Sequence, residues 1–165
     1  MITLSVAIFI TIVDQFTKIL IHEFYNVGDS TPVISGFFSI TYVRNTGAAW
    51  GMLKDFNLML IMLSIVVLIC LAAFSKSFIR GSRLNALALG LMTGGILGNL
   101  LDRIRLGFVV DFLDFYRSVY HFPSFNVADS AICIGVSLFF VLSVIHSRHS
   151  TSQAFIADTS PHASN

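Results

Sequence analysis

Residues 56–75 read FNLMLIMLSIVVLICLAAFS, a run of about 20 residues with no charged side chain. About 20 mostly apolar residues are what a helix needs to cross the hydrocarbon core of a bilayer. Three further segments have the same character: 2–21, which carries Asp14 and Lys18; 84–101, which runs into Asp102 and Arg103; and 126–146. The sequence therefore predicts an all-α membrane protein with four transmembrane helices. Composition agrees. Of 165 residues, 55% are hydrophobic and only 12% charged, where a soluble domain is about 25% charged, and the mean hydropathy is +0.82. Disorder, a collagen-like fibre and a small disulfide scaffold are excluded by the same figures. The length fits one domain, taken as 1–146, followed by a Ser/Thr/His-rich tail, 147–165, that reads as disordered and cytoplasmic. A net charge of +1 offers no basis for nucleic-acid binding.

The first segment has neither a basic n-region nor an A-x-A site after it, so it reads as a retained helix rather than a cleaved leader. Four crossings put both termini on one side. The turn 76–83 holds Lys76, Arg80 and Arg83 with no acid, and Arg148 follows the last segment. The positive-inside rule assigns these to the cytoplasm. Arg44, Lys54, Arg103, Arg105 and Arg117 lie on the other side, so basic residues alone do not decide. Eight of the nine acids, all but Asp158, lie on or toward that other side, which favours N-in, C-in. Residues 33–44, β-branched and aromatic with partial alternation, read as one or two short external strands. Residues 103–125 read as an external loop, and Tyr42, Trp50, Tyr116 and Tyr120 as interfacial aromatics. Cys70 and Cys133 sit in apolar runs and read as packing residues. With no CxxC or Cys/His cluster, nothing indicates zinc.

Charge in a membrane helix needs a reason. Asp14 and Lys18 are four residues apart on one helical face, the spacing of an ion pair. Gly90, Gly94 and Gly98 recur every four residues, with Gly95 beside them, a pattern that lets another helix come close. The same helix delivers Asn99, Asp102 and Arg103 to its outer end. Two readings stand for them: helix-end polarity with an Asp102–Arg103 salt bridge, or Asn99 and Arg103 as donors aimed at a peptide or lipid headgroup.

Asp111 lies among apolar neighbours in VVDF, 109–112, and reads either as a solvated loop acid or as a carboxylate in a dry setting. Asp129 lies in FNVADS, 125–130. It reads as the reciprocal partner of an N-cap at Asn126 or as a catalytic group. Both acids fall near the outer membrane boundary. Two carboxylates meeting there can share one proton, since like charge and desolvation raise the pKa of one. One then takes a proton from water while the other protonates a scissile carbonyl, with no covalent intermediate and no metal.

Five motifs occur in order over about 130 residues: DQFTK at 14–18, RNTGAAWG at 44–51, GGILGNLLDR at 94–103, VVDF at 109–112 and FPSFNVADS at 122–130. In these the chain resembles the bacterial lipoprotein signal peptidases, also called signal peptidase II, with no departure at the motif positions. The resemblance implies an intramembrane aspartyl endopeptidase of the inner membrane. Such an enzyme cuts the signal peptide of a prolipoprotein just before a diacylglyceryl-modified cysteine, with its active site toward the periplasm. By position it implies Asp111 and Asp129 as the catalytic pair, and Asn45, Asn99, Arg103 and Asn126 as substrate-binding residues. Asp14, Lys18 and Asp102 would support the site. It implies no metal or cofactor. The external strands resemble the family's β-cradle. Gly47, Ala48 and Ala49 would let backbone approach substrate, though a tight turn explains Gly47 equally well. Expected partners are diacylglyceryl-prolipoproteins, membrane lipid and the cyclic peptide inhibitor globomycin, and nothing demands more than a monomer. The rival class is a small proton-coupled transporter or channel subunit, suggested by Asp14, Lys18 and Asp102. Its acids would normally lie near the midplane among repeats or broken helices, whereas here the acids gather at one boundary and no repeat appears. A non-catalytic scaffold would account for the glycines alone.

Overall fold

The computed structural model describes the backbone of residues 1–48, 52–79 and 81–159, with side chains as far as 146. Ala49, Trp50 and Gly51 of the second motif, Arg80 of the basic turn and 160–165 of the tail lie outside the described residues. Nine elements follow in order: α1 (Ile2–Phe24), β1 (Ser30–Ile34), β2 (Phe38–Asn45), α2 (Asn57–Ala73), α3 (Ser75–Ile79), α4 (Arg83–Leu106), β3 (Val109–Arg117), β4 (Tyr120–His121) and α5 (Val127–Thr159).

Among the described residues three helices are long and apolar enough to cross a membrane: α1, α4 and the Val127–His146 part of α5. The second expected span is the 17-residue α2, followed by the short α3. The outward faces are apolar. Leu4, Phe9, Ile12 and Phe16 of α1 are each at least 60% exposed, an arrangement that suits hydrocarbon and not water. Cys70 and Cys133, expected to pack, are free thiols on exposed faces, because α2 and α5 turn apolar sides outward as well. α5 passes the expected boundary at 146 and continues as helix to Thr159. Polar residues end the apolar span there, but no glycine or proline interrupts the helix between 136 and 159.

α4 is the central helix. Its glycines divide between two partners. A Cβ on Gly90 would stand 2.8 Å from the Thr3 carbonyl oxygen, and one on Gly94 2.7 Å from that of Ala7, both in α1. A Cβ on Gly95 would collide with the Ala128 carbonyl of α5, and one on Gly98 with the Asp14 carboxylate. Across α1 and α4, the Thr3 hydroxyl donates to the Ala86 carbonyl at 3.1 Å, Thr11 to that of Gly94 at 3.1 Å, and the Gln15 amide to that of Gly98 at 3.1 Å. The constant offset of 83 residues means that α1 and α4 run parallel. α5 runs antiparallel to α4: Gly95 meets Ala128 and Gly135 meets Ala88.

The sheet is antiparallel with order β1-β2-β3-β4. The expected strands at 33–44 resolve into β1 and β2, whereas β3 and β4 lie where a loop was expected. Val109, Val110, Asp111 and Phe112 are all buried. A strand covered on both faces shows no period-two alternation to read. Pairing of β2 with β3 sets Val43 opposite Asp111 and Asn45 opposite Val109, with a bulge between Ile40 and Val43. Tyr42 is not interfacial but buried, packed with Ile21, Val110 and Phe112 where α1 meets the sheet. Its hydroxyl pairs with His22 Nδ1 at 2.7 Å.

The glycine contacts make a direct prediction. Gly94→Ala forces a methyl group against the α1 backbone and should cost about 1–3 kcal/mol, read as a lower Tm of the purified protein in detergent. An unchanged Tm would mean that α1 and α4 lie further apart than described.

Candidate active site

The polar residues of the five motifs converge at one end of the helices, beneath the sheet. α4 ends at Gly107, whose left-handed φ of 81° lets the chain turn directly into β3. Asp111 follows four residues later. Asn126 precedes α5, and its side chain accepts the Asp129 backbone N–H at 2.9 Å while the Asp129 carboxylate accepts that of Asn126 at 3.3 Å. This is the reciprocal cap expected for Asp129. The cap uses only part of the carboxylate: Oδ1 accepts from Asn99 Nδ2 at 2.7 Å.

Asp111 is buried, 1% exposed, so the solvated-loop reading fails. Its Oδ1 accepts from Asn126 Nδ2 at 2.7 Å and its Oδ2 from Asn45 Nδ2 at 2.9 Å. Each of the three amides that reach the two aspartates has its orientation fixed by a donor on its own oxygen. Lys18 donates to Asn99 at 2.8 Å, the Gly47 N–H to Asn45 at 3.0 Å and the Asp129 N–H to Asn126. The amide nitrogens therefore face the carboxylates. Burial pushes the Asp111 carboxyl up to about 7, and the charge of Asp129 adds to the rise, against the lowering effect of the Asn45 and Asn126 hydrogen bonds and of Lys18. A carboxyl so placed keeps its proton near neutrality beside a second carboxylate.

Behind the aspartates lies a buried ion cluster. Lys18 Nζ stands 2.9 Å from Asp14 Oδ2 and 3.2 Å from Asp102 Oδ2. Asp14 also accepts the Ala128 N–H at 2.9 Å and Asp102 the Val110 N–H at 3.1 Å. The Asp14–Lys18 pair is thus present as expected. The Asp102–Arg103 alternative is not, since Asp102 pairs with Lys18. Consecutive helical residues point in different directions, so Asp102 follows the Gly94–Gly98 side toward α1 while Asn99 and Arg103 follow Gly95 toward α5. Arg103 instead donates to the Gly47 carbonyl at 3.1 Å. Gln15 was given no separate role in the sequence reading. It donates to Asp102 at 2.9 Å as well as to Gly98. Its place in DQFTK, next to Asp14, was the available signal.

Asn45, Asn99, Arg103, Asp111 and Asp129 line one cavity of about 970 Å³, walled by Val43, Phe122, Ile132 and Cys133 among others. Asn126 is fully buried behind it. Asp14, Lys18 and Asp102 are not among the lining residues. The arrangement offers two carboxyl groups, one of them held protonated near neutrality, and fixed amide donors, at the wall of a largely apolar cavity.

Comparison with known proteins is in accord. The family model described as Signal peptidase (SPase) II matches residues 6–145. A lipoprotein signal peptidase of Geobacter sulfurreducens is 51% identical over 130 residues, covering 77% of this chain and 81% of its own. That of Bacillus velezensis is 42% identical over 136 residues, covering 82% and 89%. A bacterial membrane enzyme solved in meso at 2.3 Å superposes with a TM-score of 0.82 at 38% identity, covering 88% of each chain. A second, at 1.9 Å, gives 0.77 at 39% identity, covering 85% and 90%. With motifs, fold and relatives in agreement along most of its length, the chain belongs to the signal peptidase II family.

Proposed function

We propose that Asp111 and Asp129 are the catalytic pair of a membrane peptidase that removes signal peptides from prolipoproteins, cutting before the diacylglyceryl-modified cysteine. Family membership carries the activity. The observation that supports the residue assignment is a buried, proton-holding Asp111 lining the same cavity as the more open Asp129. In this reading Asp129, ionised, takes a proton from the attacking water. Asp111 gives its proton to the scissile carbonyl oxygen, leaving a tetrahedral diol. Collapse of the diol breaks the C–N bond: the departing amine takes the proton from Asp129 while a diol hydroxyl gives one to Asp111, which restores the starting form of the pair. Asn45, Asn99 and Arg103 bind substrate from the cavity wall, and Asn126 acts from behind. Asp14, Lys18 and Asp102 hold the three helices together beneath it.

The finer topology is part of the same proposal. α1 and α4 run parallel, so the chain must return between them. Asn57, at the start of α2, donates to the Arg103 carbonyl near the end of α4 at 3.1 Å. Ser82, just after α3, caps the start of α4. These contacts support α2 as a fourth crossing. With the basic turn at 76–83 inside, both termini are cytoplasmic and the site faces the periplasm. Entry from the lipid suits a substrate that is itself an apolar helix with acyl chains. Globomycin-type inhibitors would occupy this cavity, and the site is complete within one chain, so a monomer suffices.

Purified protein in detergent should cleave a diacylglyceryl-modified prolipoprotein, whereas Asp111→Asn and Asp129→Asn should each lower kcat at least 10³-fold while staying folded. Substantial turnover by either variant sinks the pair. The pH profile carries a sign. Since the Asp111 proton is held up to about pH 7, kcat/KM should be level just below that pH and fall about tenfold per unit above it. A rate still rising at pH 8 would contradict its role as the acid. Asp14→Asn breaks a buried ion pair and should cost about 3 kcal/mol, lowering Tm and yield. Normal stability with lost turnover would instead put Asp14 in the chemistry.

A further inference from the structure

His121 belongs to none of the groups above. It ends the two-residue strand β4 and lines the same cavity as the aspartates. Its side chain is 54% exposed. Its Nδ1 lies 2.9 and 3.0 Å from the two oxygens of Asp114, a carboxylate that is itself buried, 4% exposed. Asp114 Oδ2 also accepts from the Thr41 hydroxyl of β2 at 3.0 Å, and Thr41 in turn meets Ser30 of β1 at 2.8 Å. The imidazole stacks on Tyr116, with centroids 5.1 Å apart and planes at 13°. A ring held on one edge by a carboxylate and on one face by an aromatic has its orientation fixed, and its tautomer with it: Nδ1 carries the proton, as in a carboxylate–histidine pair. Nε2 is the nitrogen left to meet a ligand.

We propose that His121, positioned by Asp114, is a substrate-binding residue that donates an Nε2–H hydrogen bond from its protonated form to a carbonyl oxygen of the substrate. The proposal rests on the peptidase reading of this cavity. Carbonyl oxygen is the chemistry that fits. Apart from the aspartates, the charged residues lining the cavity are Arg44, Lys54 and Arg103, all donors without acceptors. The two sources of carbonyls are the acyl esters of the modified cysteine and the peptide main chain. The charged and titratable groups around the imidazole are Asp114 and Tyr116 of β3. Lys54, Arg44, Arg103, Asp111 and Asp129 line the rest of the cavity. With Nδ1 committed to Asp114, only the doubly protonated ring donates from Nε2, so the interaction weakens as pH rises.

The test is steady-state cleavage of a diacylglyceryl-modified prolipoprotein by wild type, His121→Phe and His121→Gln between pH 5.5 and 8. His121→Phe should raise KM about tenfold at pH 5.5 with kcat within twofold, and this ratio of KM values should fall as pH rises toward 8. The Asp111 limb is common to both enzymes and cancels in the ratio. His121→Gln, whose amide donates at every pH, should restore a low KM and remove this pH dependence. Equal KM for His121→Phe and wild type at pH 5.5, with normal kcat and Tm, overturns the proposal while leaving the peptidase intact. Failure of wild type to cleave would overturn the reading beneath it instead. A dialkyl ether analogue of the modified cysteine separates the two sources. Loss of the His121→Phe penalty assigns the bond to an ester carbonyl, and its persistence assigns it to the main chain.

Discussion

One buried ammonium group holds the site together. Lys18 has three N–H bonds and finds three acceptors, on Asp14, Asp102 and Asn99. A charge this deep is tolerated only when paired and fully hydrogen-bonded. Satisfying it requires α1 and α4 to be in contact at one height. Asp14 then extends the tie to the backbone of α5 through Ala128, and Asp102 extends it to β3 through Val110. The glycines of α4 make this possible by removing the side chains that would hold the helices apart.

From that cluster the order passes outward in steps. Lys18 fixes the Asn99 amide, Asn99 faces Asp129, and Asp129 and Asn126 cap each other. Asn126 then reaches Asp111. Because each amide is oriented by a group that can only donate, the direction of every amide bond to the aspartates is fixed. The aspartates meet fixed donors, so little reorganisation is needed as charge moves in the proposed reaction. The sheet contributes the opposite wall: β2 brings Asn45 and β3 brings Asp111, two strands separated by more than sixty residues of chain.

Much of this was legible in the sequence for identifiable reasons. Long apolar runs gave the helices, and charges inside such runs singled out Asp14 and Lys18. Spacing of four gave their pairing and the close approach of α4. What escaped was set by contacts that no local pattern encodes. β3 is buried on both faces, so Asp111 carried no strand signal. Asp102 lies next to Arg103 in sequence but faces the other way on its helix, so the adjacent cation was the wrong partner. Tyr42 reads as interfacial because its neighbours in sequence read as external, whereas its neighbours in space are Ile21, Val110 and Phe112.

The constant offset of 83 between contacts of α1 and α4 bears on how such a chain can vary. Both helices advance together, rung by rung, for three turns before reaching the ion cluster. Removal of one residue from α4 between Gly94 and Gly98 would rotate everything beyond it by about 100°. Gly98 and Asp102 would leave α1, and Asn99 would leave Asp129. Length changes are therefore admissible in the connections around the sheet and α3 but not within the first or central helix, where residue number itself is the measure that aligns a lysine with its three acceptors.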